Sequence, residues 1–138
     1  MRLGTEGGLR VVYEAIRDPA PQVRMQAAAA VATRRDAKTA ATLIRAVDEE
    51  QDTDVQLAML AALGKVGTKD AIERLMRAAE PERGLFKRRT TASRVAAIQA
   101  LAETRAPAAL AALRSLAGDK DREIRDTVAR VSQSLGRV

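Results

Sequence analysis

Apolar residues along this chain fall into short stripes at three- and four-residue spacing, divided by polar turns, and the arrangement returns four times. The copies read DPAPQVRMQAAAAVA from Asp18, DTDVQLAMLAALGKVG, SRVAAIQALAET, and DKDREIRDTVARVSQSL. Each places a β-branched anchor ahead of an apolar stripe, and three of the four open on acids. The anchors Val23, Val55, Val95 and Ile124 lie 32, 40 and 29 residues apart. Spacing of three and four predicts helices. Self-similarity near 30 residues predicts a stack in which each unit buries its apolar face against its neighbours.

The stripes predict about eight helices, near 8–17, 21–33, 37–49, 53–66, 68–79, 92–104, 107–117 and 120–135. Asp18-Pro19 ends the first, and Pro21 and Pro107 suit first turns, where a missing N–H costs nothing. Asp36 is placed to cap the third helix. Gly64 and Gly67 read as punctuation after the fourth, and Gly118 as the stop of the seventh. The expected fold is all-α, a right-handed α-solenoid of about four helix pairs. Its units fall near 8–17 (partial), 18–50, 51–79, 80–117 and 118–138 (partial), all in one domain. A chain beginning on a second helix and ending on a first reads as a segment of a longer solenoid, or as one with atypical caps.

The turn acids Asp18, Asp52, Asp54, Asp119 and Asp121 carry a family resemblance, together with the Val/Ile anchors. So do the Val-Arg and Ile-Arg dipeptides at 23–24 and 124–125 and the segment Leu60-Ala61-Ala62-Leu63-Gly64. Over about residues 8–135 the chain resembles HEAT repeats, specifically the short bacterial HEAT-like type found in phycobilisome lyases. The resemblance implies second helices lining a concave face and an Asp–Arg ladder between repeats. Because Gln56 follows Val55 and Ala96 follows Val95, that ladder is expected to break in the middle.

Composition narrows the chemistry. There are 29 alanines, one Phe, one Tyr and no Trp, so the core must be built from Leu, Ile, Val and Ala. Alanine combines the best helix propensity with close helix approach. Without Cys or His the chain lacks thiolate nucleophiles, thiolate metal sites and the usual near-neutral base. No Ser-centred triad, phosphate loop or isolated carboxylate pair emerges, and the reading is non-enzymatic, with no cofactor and no metal. No apolar run approaches the ~20 residues of a membrane helix and no signal peptide is visible, so a cytoplasmic setting is expected.

Three features could carry function. Aligned on their apolar pairs, the second helices place Arg17, Arg45, Arg77 and Arg114 at one position, a basic ridge suited to an acidic protein partner. A cation in a last helical turn also complements the helix dipole without any partner. The segment 81–94, PERGLFKRRTTASR, delays the third anchor and carries Arg83, Lys87, Arg88, Arg89 and Arg94. Leu85 and the sole Phe, Phe86, give it the mix of cation and apolar surface found at protein hot spots; they could equally tuck under the loop. The acidic run Asp48–Asp54 reads as a solvated turn whose later acids cap the next helix.

The expected activity is a protein-interaction scaffold. The alternative is nucleic-acid binding along a basic concave face, given a net charge of +6 and a pI near 10.5. It is weakened by the scarcity of aromatic side chains for base stacking. A lyase-like enzyme, suggested by the repeat type alone, is the remote third reading.

Overall fold

The computed structural model describes residues 6–81 and 90–136, with side chains from residue 10 onward. Among these residues the chain forms eight helices: α1 Glu6–Ala15, α2 Pro21–Val31, α3 Ala37–Glu49, α4 Thr53–Val66, α5 Lys69–Ala79, α6 Thr91–Thr104, α7 Pro107–Ser115 and α8 Arg122–Gly136. They pack as two layers. The first helices α2, α4, α6 and α8 each lie against the next in order. The second helices α3, α5 and α7 do the same. α1 joins this second layer, its Tyr13 hydroxyl bonding Thr39 Oγ1 of α3 at 3.1 Å. The result is the solenoid that the repeat period predicts.

Local chemistry fixes the helix starts. Asp36, Asp52, Thr68 and Thr90 accept hydrogen bonds from the N–H groups of Thr39, Val55, Ala71 and Ser93, each satisfying an otherwise unpaired donor. α2 and α7 lack side-chain caps and begin instead on Pro21 and Pro107. α4 stops at Gly67, whose φ of 62° is the left-handed region that glycine enters without strain. α6 ends at Arg105 in the same conformation, φ 55°. α7 ends at Ser115 rather than at the expected 117, because the N–H groups of Leu116 and Ala117 turn back to Leu113 and Arg114.

The core runs along the join between layers, through Leu43, Val55, Met59, Leu60, Leu63, Leu75, Ile98, Leu101, Leu113 and Ile124, each at most 2% exposed. Two sequence expectations need correction here. Val23 and Val95 are half-buried, unlike Val55 and Ile124. Counted from the residue before each helix (Ala20, Asp52, Thr90, Asp121), the third position is Val23, Val55, Ser93 and Ile124. The third anchor is therefore Ser93, only 7% exposed, and the true register places Val95 two residues further along. Gly64 is not punctuation either. It lies inside α4, and a Cβ there would stand 2.8 Å from Ala100 Cβ of α6, so the bare backbone is what lets these two helices close.

Candidate functional site

The chain handles its arginines in two different ways, and the helix positions decide which. The residue after each anchor position is Arg24, Gln56, Arg94 and Arg125 in turn. Arg24 Nη1 donates to the carbonyls of Asp18 at 2.8 Å and Pro19 at 3.0 Å, which fixes the plane of its guanidinium. Its Nε and Nη2 then hold both carboxylate oxygens of Glu50 at 2.9 Å. Arg94 makes the corresponding bidentate pair with Asp119, its Nε donating to Ala79 O at 2.9 Å. The acid is itself oriented from behind: Glu50 accepts the Asp52 N–H and Asp119 the Asp121 N–H, each at 2.9 Å. Each such rung ties a first helix to the turn that opens the next.

The expected break in the ladder is thus half right. Gln56 does interrupt it, but Ala96 is not a ladder position. Arg94, counted above within the basic insertion, is a rung residue only 7% exposed. A sequence signal for the rungs exists: an acid two residues before the helix-preceding position, as at Asp18, Glu50 and Asp119. The acidic run is likewise more than a solvated turn. Asp48 pairs with Arg74 at 2.9 Å, Glu50 is the rung acid with a side chain 4% exposed, and Asp52 caps α4.

The carboxyls respond accordingly. The Arg94 hydrogen bond holds Asp119 below the usual carboxylate range, against the opposing effect of burial. At Glu50 burial pushes the pKa up, but the Arg24 and Asp52 hydrogen bonds outweigh it and the net shift is downward. These groups are spent on the fold.

The second layer is different. Arg17, Arg45, Arg77 and Arg114 are all exposed. Among the described residues none of them forms an ion pair. Arg45 and Arg77 stand nine residues after the caps Asp36 and Thr68, and Arg114 eight after Ala106, so the register of Arg114 is one residue short. Arg77 and Arg114 sit in the last turns of their helices, whereas Arg45 does not and Arg17 lies just beyond α1.

Arg17 and Arg45 come together at a groove between α1 and α3, lined also by Arg10, Tyr13, Glu14, Lys38 and Thr42. Four cations face one acid there. Lys38 Nζ lies 5.3 Å from the centre of the Tyr13 ring, which occupies that aromatic face. Arg10, Lys38 and Thr42 were not singled out by sequence, since their convergence depends on α1 lying beside α3. Leu85, Phe86, Lys87, Arg88 and Arg89 lie outside the described residues. Flanking them, Thr90 caps α6 and the Thr91 hydroxyl donates to Asp121 at 2.8 Å.

Among the described residues no cluster of three or more His, Cys, Asp and Glu is arranged to hold a metal ion. Among the described residues no helix is long and apolar enough to cross a membrane.

No individual curated protein matches the chain. Two repeat patterns do: one described as HEAT repeats over residues 9–93, and one described as PBS lyase HEAT-like repeat over residues 93–119. The first pattern alone spans more than half of the sequence and the two meet inside α6, so the helix pairs built around these rungs are HEAT repeats and the chain belongs to that family.

Proposed function

We infer that this chain is a non-catalytic protein-interaction module of the cytoplasm, and that its second-helix layer binds an acidic segment of a protein partner. The observation that supports this reading is the division of the arginines. Arg24 and Arg94 are consumed in rungs, while Arg17, Arg45, Arg77 and Arg114 are exposed and, among the described residues, form no ion pair. Arg17 and Arg45 meet Arg10 and Lys38 at the α1–α3 groove, where four cations face the single acid Glu14. Solenoids present extended surfaces without a deep pocket, and HEAT repeats generally serve as interaction scaffolds. Residues 85–89 are proposed as a second contact, with Leu85 and Phe86 as apolar anchors flanked by Lys87, Arg88 and Arg89.

A fluorescent acidic peptide and a DNA duplex, each titrated at low and moderate salt, test this reading. The double variant Arg17→Glu/Arg45→Glu should weaken peptide binding at least about tenfold, equivalent to about 1.4 kcal/mol. Its melting temperature should barely change, because exposed unpaired side chains contribute little to stability. Replacing 85–89 by a Gly/Ser linker should weaken binding independently. Peptide binding unchanged in the double variant would overturn the groove. A duplex bound more tightly than the peptide, with a steep salt dependence, would favour nucleic acid instead.

A further inference from the structure

Arg125 repeats the Arg24 geometry, and among the described residues no acid completes it. Its Nη1 donates to the carbonyls of Asp119 at 2.8 Å and Lys120 at 3.0 Å, the same two distances that Arg24 makes to Asp18 and Pro19. The guanidinium is therefore held in the rung orientation. Among the described residues its Nε and Nη2 edge, which in Arg24 grips Glu50, meets no carboxylate.

At the other end of the stack stands the complementary half. Asp18 Oδ1 accepts the Ala20 N–H at 2.8 Å, matching the way Glu50 and Asp119 are oriented by the N–H two residues on. Both of those acids hold an arginine; among the described residues Asp18 holds none.

The apolar surface is split in the same way. Val131 and Leu135 of α8 are half-buried. They stand ten and fourteen residues after Asp121, where α4 has Ala62 and Val66 ten and fourteen after Asp52, both buried. α4 carries the second helix α5 beside it, and among the described residues no helix takes that place beside α8. α1, a second-layer helix, exposes Val11 to 54%, the one large apolar side chain so exposed among the described residues.

We propose that a second copy of this chain stacks head to tail on α8, its α1 packing beside Val131 and Leu135 and its Asp18 completing the rung with Arg125. The inference is independent of the acidic-partner reading, since it uses neither the α1–α3 groove nor residues 85–89. Two different patches meet in such a contact, so it propagates into open oligomers or closes as a ring of three or more, rather than closing as a two-fold dimer.

The test is sedimentation velocity of the 138-residue chain across a wide concentration series. Wild type should show a mass that climbs past the dimer as concentration rises. Arg125→Glu and Asp18→Arg each set like charges against each other, and each alone should weaken association at least tenfold. Mixing the two variants should restore it, because the unaltered Arg125 of one meets the unaltered Asp18 of the other. Restoration on mixing also excludes unfolding as the cause of the single losses. Wild type that stays monomeric throughout overturns the proposal. So does association that both variants leave intact, or that stops at a two-fold dimer.

Discussion

Gly64→Ala sets helix propensity directly against packing. In an isolated helix the change would stabilise by roughly 1 kcal/mol, since alanine is the best helix former and glycine among the worst. In this protein the added Cβ would stand 2.8 Å from Ala100 Cβ, 2.9 Å from its Cα and 2.9 Å from its carbonyl oxygen. Two of those atoms are backbone and cannot rotate away, so α4 and α6 must separate. Overpacking of this kind costs about 1–3 kcal/mol, and here the strain falls on the most extensive helix–helix contact in the stack. Packing should win, leaving Gly64→Ala up to about 2 kcal/mol less stable than wild type. At the size of this chain each kcal/mol moves the melting temperature by roughly 3–5 °C. Urea denaturation followed by far-ultraviolet circular dichroism supplies the free energy, and a thermal scan the independent check. Adding Ala100→Gly should recover only part of the loss, because the Cα and carbonyl oxygen at 2.9 Å remain. Gly136→Ala, at the last residue of α8 with nothing within 4 Å, is the control for adding a Cβ without a clash. A Gly64→Ala variant stabilised as much as propensity dictates would refute the close approach of α4 and α6.

Asp119→Ala leaves the buried Arg94 guanidinium without its carboxylate and should cost about 3–5 kcal/mol, measured by urea denaturation. The carboxyls of Asp119 and Glu50 both have lowered pKa values, so their contribution to stability is present above the unfolded pKa values of about 4 and is lost as pH falls through the folded ones. Melting temperature should therefore hold between about pH 7 and 5 and drop below about pH 4; a combined Asp119→Asn/Glu50→Gln variant should start lower and fall less. Arg105→Gly removes left-handed strain at the end of α6 and should stabilise by up to about 1 kcal/mol, limited by the greater backbone entropy of glycine in the unfolded chain. Val55→Ala, at a site with no exposure, should cost about 1–3 kcal/mol through lost burial and the cavity left behind.

Helix positions were legible because apolar periodicity, the cap residues Asp36 and Asp52 and the first-turn Pro107 act over three or four residues. Register between distant units was harder to read. In the third copy the eye falls on Val95, whereas Thr90 caps the helix and puts Ser93 and Arg94 at the anchor and rung positions. A small polar residue at a buried anchor gives no hydrophobic signal, and an arginine in a basic stretch looks like one more surface charge. Gly64 misled for a similar reason: a missing side chain looks the same in sequence whether it frees a turn or lets a neighbouring helix approach. The α1–α3 groove was legible only in part: Arg17 and Arg45 share a repeat position, whereas Arg10 and Lys38 join them only because α1 lies beside α3.

The rungs have a kinetic consequence. Arg24 and Glu50 are 26 residues apart, and Arg94 and Asp119 are 25. Bringing such partners together closes short loops, so little chain entropy is lost before each contact forms, and chains with mostly local contacts fold fast. Opening is equally local: a terminal helix can detach while the interior stays closed. Amide exchange should record that order as a gradient, fastest in α1 and α8 and slowest where Leu63 and Leu101 lie buried at the α4–α6 contact. A ligand seated between α1 and α3 would then slow exchange at that end of the stack first.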